Sequence, residues 1–225
     1  MDRIFVGFDQ REAVAYHVCC QSIIERAKRP LCIAPLALNL LDGFDGQRDG
    51  TNAFIYSRFL VPMLCDFGGW ALFIDGDMVL RADVGRLFDM RDESKAVMVV
   101  KHDYKTRNPR KYVGTALESD NVDYPFKNWS SVILWNCGHP SNRRLTTSII
   151  AGMSGRELHR FSWLKDSEVG GLPAKWNWLV GEYGHNENAC LVHYTLGIPG
   201  FDHYKDCDHA ATWHAAKRSM LHIED

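Results

Sequence analysis

Two aspartates separated by one glycine form the feature of this sequence with the clearest chemical meaning. Asp75, Gly76 and Asp77 directly follow the apolar run 70–74, within the segment FIDGDMVL. Two carboxylates this close repel each other unless a proton or a cation lies between them. A hard divalent ion accepts oxygens from both and keeps room for phosphate oxygens. An Asp-Gly pair is also a common turn, but its position behind a buried strand favours a metal site.

A histidine stands at the end of another apolar run. His193 follows residues 189–192 and precedes a loop with two glycines and a proline, residues 197–200. A single histidine is most often a structural hydrogen-bonding group. At a strand end it becomes a plausible third metal ligand, because imidazole accompanies carboxylates in many metal sites.

The elements that must position these residues alternate between strands and helices. Residues 4–8 predict a strand, residues 13–27 a helix closed by Pro30, and residues 32–38 a second strand, which is the unit of a parallel sheet. Further strands are predicted at 70–74, 78–80, 96–100, 131–135 and 189–193. Asn52 is a candidate cap for a helix to residue 65 that Pro62 kinks, and residues 104–126 predict an excursion over the sheet edge. Ligands of such sheets bind beyond the carboxyl ends of strands.

Composition and charge exclude several classes of protein. The 225 residues are 46% hydrophobic, which suffices for the core of one α/β domain, and no repeat or linker divides the chain. Basic residues number 26 against 28 acids, so dedicated nucleic-acid binding is not expected. Seven cysteines without a CxxC pair predict a reduced, cytoplasmic protein. The longest apolar stretch, 31–41, is too short for a transmembrane segment, and no signal peptide is expected.

Several motifs occur in an order that resembles the glycogenin-like, family 8-type retaining glycosyltransferases. These are IFVGFDQREAVAY at 4–16, YSRF at 56–59 with a later proline, FIDGDMVL at 73–80, LPAKWNW at 172–178 and HYTLGIPG at 193–200. The resemblance covers about residues 3–200. It implies a GT-A fold, with a mixed and mostly parallel sheet flanked by helices, as a single domain over 1–225. It also implies transfer of a hexose from a nucleotide sugar, a UDP-sugar above all, with retention of the anomeric configuration.

The resemblance assigns the metal and the donor diphosphate to five residues. Asp75, Gly76 and Asp77 match the D-x-D segment, and His193 matches the third ligand of a bound Mn²⁺ or Mg²⁺. Such an ion neutralises the charge that develops on a departing diphosphate. Arg58 matches a helix arginine near the phosphate and sugar, where it adds positive charge as a catalytic group.

The same resemblance implies that further residues contact the nucleotide-sugar donor. Asp9 matches the acid that contacts the uridine base, and Gly197 matches a glycine that lets the backbone approach the pyrophosphate. Asp166 and Glu168 lie upstream of LPAKWNW, where the family places acids beside the donor sugar, which makes them candidates to stabilise oxocarbenium charge. A solvated turn explains these two acids equally well.

The sequence also departs from the family pattern. The late motif usually continues to a lysine, for which Lys205 is the substitute we expect, and residues 129–131 read Trp-Ser-Ser where the family has Asn-Ala-Gly. The acidic motif Asp-Gln-Asp is replaced by residues 166–168. These departures affect the identity of the sugar more than the fold. The acceptor is left open as a glycan, a lipid-linked glycan, a protein or a small molecule.

Two other functions stay open. A sugar-1-phosphate nucleotidyltransferase also uses such a sheet, but residues 8–11 lack its glycine-rich, basic phosphate loop. A catalytically inactive relative that binds carbohydrate or nucleotide sugar fits the altered late motif. The C-terminal segment carries histidines and a cysteine whose spacing could hold zinc, namely His203, Cys207, His209 and His214. Without a CxxC pair, we instead expect residues 203–225 to form a loop or helix over the donor site.

Overall fold

The strands and helices are described in a computed structural model for residues 1–41, 44 and 54–222. Short 3-10 turns join many of them. In chain order they are β1 (Asp2–Gly7), α1 (Ala13–Arg26), β2 (Leu31–Leu36), α2 (Val61–Leu64), β3 (Trp70–Ile74), β4 (Met78–Leu80), α3 (Gly85–Phe88), β5 (Val97–Val99), β6 (Arg110–Lys111), β7 (Ser119–Asp120), β8 (Val132–Asn136), α4 (Thr147–Gly152), α5 (Gly155–His159), β9 (Val169–Gly171), β10 (Trp178–Leu179), β11 (Leu191–His193) and α6 (Ala210–Leu221).

The central sheet has the strand order β2-β1-β3-β8-β5-β9. β1 pairs in parallel with β2 and β3, and β5 pairs in parallel with β9. β8 runs against both of its neighbours. Because two antiparallel pairings restore the original direction, β1, β2, β3, β5 and β9 all point the same way. The sheet is therefore mixed and mostly parallel, as the sequence predicts.

A small second sheet continues from the end of β3. Its order is β10-β11-β4, and β11 runs antiparallel to β4 with His193 opposite Met78. The backbone N–H of Tyr194 donates to the carbonyl of Asp77 at 3.0 Å. This register carries the end of β11 to the turn that follows β3.

Alternating side chains of the central strands enter two cores. Ile4, Val6, Leu72 and Ile74 face α1, while Ala71 and Phe73 face the layer that contains Phe59 and Trp135. The period of two residues sends successive side chains to opposite faces of a strand. Because both faces are covered, β1 and β3 are nearly continuous apolar runs, which is typical of parallel strands buried on both sides.

The C-terminal helix packs on the first helix of the chain. α6 packs against α1 and buries Trp213 and Ala216 beside Ala15 and Val18. Of residues 203–222, which the structure describes, none lines the cavities that contain Asp75 and Asp77. The expected cover over the donor site stays a prediction.

Two other predictions differ from the structure in detail. The segment 54–65 forms a 3-10 turn at Ser57–Leu60 and then the single helical turn α2, whose second residue is Pro62. The predicted cap, Asn52, lies outside the described residues. Among the residues described, no helix combines the length and the apolar composition that crossing a bilayer requires.

Candidate active site

Two strand ends bring the predicted metal ligands together. Asp75, Gly76 and Asp77 form the connection from β3 to β4, and His193 is the last residue of β11 beside β4. His193 Nε2 lies 3.4 Å from Asp77 Oδ1. One ligand atom from each of Asp75, Asp77 and His193 lies within 4.8 Å of the others. The structure thus assembles the triad that the sequence spacing predicts.

Gly76 is required by the packing of β1 on this turn. A Cβ atom at this position would lie 2.4 Å from the carbonyl oxygen of Gly7. No side chain fits at that distance from backbone, because neither strand can move without breaking the sheet pairing. The glycine therefore allows the two aspartates to sit directly against the end of β1.

The Asp75 carboxylate shares a buried environment with Arg58. Arg58 Nη1 lies 2.8 Å from Asp75 Oδ1 and donates to the carbonyl of Ser130 at 2.9 Å. The guanidinium also lies over the Phe73 ring, 4.9 Å from its centroid. Burial raises the pKa of Asp75 to about 6, Arg58 opposes that rise, and the neighbouring Asp77 adds to it. One arginine thus leaves the two carboxylates short of positive charge.

The donor set fits a divalent cation. Asp77 Oδ1 is buried and accepts no hydrogen bond from any residue the structure describes, and Asp75 Oδ1 has only the ion contact with Arg58. Buried carboxylate oxygens without donors are costly in a folded protein unless a cation binds them. Two carboxylates and one imidazole form a ligand set that Mn²⁺ accepts.

Asn177 fixes the orientation of His193. Its Oδ1 lies 2.9 Å from His193 Nδ1, and its Nδ2 donates to the Asn128 carbonyl at 3.1 Å and to Ser131 Oγ at 2.9 Å. Because Oδ1 can only accept, His193 carries a proton on Nδ1, and its Nε2 faces Asp77. Outer contacts of this kind orient metal-binding histidines. Asn177 belongs to the LPAKWNW motif, whose role the sequence alone left unassigned.

The excursion between β5 and β8 delivers a lysine that the sequence analysis missed. Lys111 lies in β6, lines the same cavity as Asp75 and Asp77, and places Nζ 3.3 Å from Thr195 Oγ1. Burial lowers the pKa of Lys111, and the charges of Asp77 and Asp75 oppose that change. The sequence contains only an indirect indication of this lysine. The late motif lacks the lysine of the family pattern, so a basic residue from another element could be expected at the site.

Lys205 does not occupy the position expected for it. Its backbone carbonyl accepts from His214 Nε2 at 2.9 Å, and its side chain lines a different cavity, beside α6. The substitution proposed from the sequence is therefore wrong. The lysine that lines the cavity at Asp75 and Asp77 is Lys111, which β6 brings there from an earlier part of the chain.

Gly197 is needed for packing. Its φ is 149°, and a Cβ there would lie 2.4 Å from the Tyr204 ring. Gly197 does not line either cavity that contains Asp75 and Asp77. Its predicted contact with the pyrophosphate stays a prediction.

Asp166 and Glu168 lie at the opposite edge of the sheet. They precede β9, which runs in the same direction as β3, so they sit where β3 begins and Asp75 sits where it ends. Glu168 Oε1 accepts from Ser141 Oγ at 2.7 Å, while Asp166 is exposed. Their predicted catalytic role beside a donor sugar is therefore corrected to a surface turn.

Asp9 reaches the edge of the site but is already paired. Arg11 contacts both oxygens of this buried carboxylate, through Nε at 2.9 Å and Nη2 at 2.6 Å. Asp9, Glu12, Gly76, Asp77 and Tyr112 line a small cavity of about 20 Å³ next to the metal triad. Burial raises the pKa of Glu12 to about 8, with contributions from Asp77 and Asp9. The predicted contact of Asp9 with a base stays a prediction.

The main cavity opens from the metal triad and has a volume of about 430 Å³. That size suits a small-molecule site. Its lining combines cationic, aromatic and hydroxyl side chains with two carboxylates. The charged residues of the lining are Arg58, Asp75, Asp77, Lys111, Arg156 and Arg160. Positive charge thus surrounds the two aspartates, an arrangement suited to an anionic ligand bound together with a cation.

Comparison with known proteins gives one curated relative and several structural neighbours. No family model matches the chain. "Protein CDI" of Arabidopsis thaliana is 42% identical over 222 residues, which cover 94% of this chain and 84% of that protein.

The structural neighbours are glycosyltransferases. GlyE of Streptococcus pneumoniae TIGR4 has a TM-score of 0.63 at 12% identity, with 99% of this chain and 63% of that chain covered. The apo structure of the bifunctional enzyme WbbM gives 0.60 at 17%, covering 99% and 51%. The galactosyltransferase LgtC, solved with donor and acceptor sugar analogues, gives 0.58 at 15%, covering 96% and 95%. The chain thus spans about half of WbbM and under two thirds of GlyE. At these identities the likeness shows the fold, which is GT-A.

Proposed function

This chain belongs to the protein family of Arabidopsis thaliana Protein CDI, and from its GT-A fold we propose that it is a metal-dependent glycosyltransferase. One observation carries the proposal. Asp75, Asp77 and His193 converge at the base of a cavity whose wall also presents Arg58 and Lys111. A nucleotide sugar needs such a place, because its diphosphate binds through a cation and through basic side chains.

The proposed donor is a UDP-linked hexose, with Asp9 at the base and the diphosphate beside Arg58 and Lys111. A Mn²⁺ or Mg²⁺ ion held by Asp75, Asp77 and His193 would supply positive charge to the diphosphate when bound. Arg58 is held rigidly by Ser130 and the Phe73 ring, so its charge is positioned before the substrate arrives. The motifs that resemble the glycogenin-like family support the choice of a UDP-sugar.

Retention of configuration is part of the proposal. Of the described residues that line the cavity, Asp75 and Asp77 alone carry carboxylates, and both point to the metal site. Among the described residues, the lining therefore offers no further carboxylate to form a covalent bond to the sugar. We infer that the acceptor attacks from the face on which the diphosphate departs. The acceptor stays a glycan, a lipid-linked glycan, a protein or a small molecule.

The test is donor hydrolysis and transfer with UDP-hexoses, with and without Mn²⁺. Asp77→Asn should lower turnover by at least 100-fold, because the variant loses one negative ligand. Asp166→Asn is the matched control: the same change in charge at the opposite edge of the sheet should leave turnover unchanged. Equal turnover in wild type and Asp77→Asn would overturn the metal assignment. Loss of turnover in Asp166→Asn would restore the role predicted from the sequence.

The same preparations separate the other two functions. Release of pyrophosphate from a nucleoside triphosphate and a sugar 1-phosphate would identify a nucleotidyltransferase. Donor binding without turnover for any acceptor class would identify an inactive relative. The seven cysteines are free thiols, which supports a cytoplasmic location as part of the proposal.

A further inference from the structure

A second group of metal-binding side chains lies beside α6, away from the donor cavity. It comprises His185, Asp208 and His209, with ligand atoms within 4.8 Å of one another. They line a separate cavity together with Glu187 and Arg81. None of the five lines the cavity that holds Asp75 and Asp77.

His209 is the most informative member of this group. Its side chain is only 3% exposed, and its buried Nε2 has no hydrogen-bond partner among the described residues. Nε2 points to the cluster, 3.8 Å from Asp208 Oδ2. Burying an imidazole nitrogen without a partner destabilises a protein unless another atom binds it.

Both ring nitrogens of His185 contact carboxylates, and these contacts orient the ring. Its Nε2 lies 2.6 Å from Glu187 Oε1, and its Nδ1 contacts Asp208 Oδ1. The ring stacks on that of His209, with centroids 4.8 Å apart. A proton on His185 between two carboxylates would explain these contacts by itself. It leaves the buried Nε2 of His209 without a partner, whereas a metal ion explains both histidines.

We propose that His185, Asp208 and His209 bind a zinc ion, and that this ion links the loop 184–188 to the start of α6. Two imidazoles and one carboxylate are the ligands that zinc prefers, whereas Mg²⁺ and Mn²⁺ favour oxygen. Two ligand atoms on one tetrahedral zinc lie about 3.4 Å apart, close to the Asp208–His209 separation. Glu187 Oε1 accepts a hydrogen bond from the remaining N–H of His185, as carboxylates do behind zinc-binding histidines.

This ligand set differs from the one that the sequence spacing allows, which is His203, Cys207, His209 and His214. His214 Nε2 donates to the Lys205 carbonyl and is thereby occupied, and the His203 ring packs edge-on against Tyr204. His185 comes from a loop more than twenty residues earlier, which a local spacing rule cannot find. Cys207 lines the same cavity, so a thiol contribution must be tested directly.

The experiment measures zinc in the full-length Asp77→Asn protein, which removes the donor-site metal and isolates the second site. We expect one tightly bound equivalent of zinc, resistant to excess Mn²⁺, and a rise in Tm of about 5–10 °C at zinc concentrations 100-fold above Kd. Adding His185→Gln should abolish both effects. Because the His185 side chain is exposed, we expect the His185→Gln variant to fold, and its folding can be verified in the absence of metal. Cys207→Ser is the matched control and should keep both effects.

Cobalt substitution distinguishes the ligand types. Co²⁺ at this site should give visible absorption of a tetrahedral ion without the near-ultraviolet band of a thiolate ligand. Glu187→Gln should weaken zinc binding by about 10–100-fold while stoichiometry is retained. Equal zinc binding with and without His185→Gln, or loss of zinc in Cys207→Ser, would overturn the proposal. Because the readout is metal content, the result is independent of whether the donor site is a glycosyltransferase site.

Discussion

Replacing Asn177 tests whether its contact with His193 contributes to metal affinity beyond its contribution to the stability of the fold. Asn177 is fully buried. Its Oδ1 accepts a hydrogen bond from His193 Nδ1, and its Nδ2 donates to the Asn128 carbonyl and to Ser131 Oγ. Asn177→Ala leaves His193 free to turn or to exchange its tautomer. Loss of an outer contact of this kind lowers metal affinity by about 10–100-fold, or about 1.4–2.7 kcal/mol. The free energy of unfolding should also fall, by about 2–4 kcal/mol, because buried polar atoms lose their partners.

Asn142 provides a control with nearly the same surroundings. It is also fully buried, donates to the carbonyls of Ala96 and Asn136 at 2.8 Å each, and accepts from Trp163. It lies beyond the far end of β8. Asn142→Ala should therefore lower the stability by a similar amount and leave the affinity for Mn²⁺ unchanged. Asn177→Asp keeps an oxygen that accepts from His193 but loses the donors to Asn128 and Ser131. The variant should therefore be less stable than the wild type and should retain its affinity for Mn²⁺.

The assay counts free Mn²⁺ by electron paramagnetic resonance during titration, with urea unfolding of the same samples. The expected pattern is a loss of affinity in Asn177→Ala alone and a loss of stability in all three variants. Wild-type affinity in Asn177→Ala would refute the argument that this contact orients His193. Equal losses of affinity in Asn177→Ala and Asn142→Ala would show that affinity follows global stability instead.

Three further changes probe the site and its supports. Lys111→Met should weaken binding of a nucleoside diphosphate by about 10–100-fold in calorimetric titration, since one buried cationic contact is lost; unchanged affinity would exclude its role. Burial lowers the pKa of His159 to about 3. The unfolded chain therefore gains a proton below pH 6.5 that the fold excludes, so stability falls as pH falls from 6.5 toward 3. His159→Gln should flatten that dependence by about 1 kcal/mol per pH unit in urea titrations, and an unchanged slope would contradict the burial argument. Gly76→Ala should cost about 1–3 kcal/mol, because the added Cβ meets the Gly7 carbonyl; Gly152→Ala, where a Cβ meets nothing within 4 Å, should be neutral, and equal Tm values for both would refute the steric reason.

The central strands could be predicted from the sequence because their apolar runs are long and bounded by polar turns. The prediction for 70–74 coincides with β3, and that for 78–80 coincides with β4. The segment 52–65 was harder, because Pro62 and the aromatic residues around it favour short turns over one helix. The helix α5 was also missed: its five residues are too few to show a helical period.

The metal triad could be predicted because strand ends have a local signature, an apolar run followed by a polar residue. Asp75, Asp77 and His193 all carry it. Asp166 and Glu168 show why the rule needs strand direction as well. They precede a strand, and only the pairing of β9 with β5 reveals which edge of the sheet they occupy. Pairing between distant segments is not written in the local pattern.

Placing Lys111 in the cavity at Asp75 and Asp77 is energetically unfavourable, and contacts of the excursion 104–126 offset this cost. A buried ammonium is unfavourable, so its position requires nearby acids and a fixed backbone. Glu182 provides the fixed backbone: it is 1% exposed, and it accepts from the Arg107 backbone N–H at 2.7 Å and from Asn121 Nδ2 at 2.8 Å. These contacts hold both sides of the β6–β7 pair that carries Lys111. The position of Lys111 is thus fixed by an acid that is far from it in the sequence, which explains why comparing motif positions could not find it.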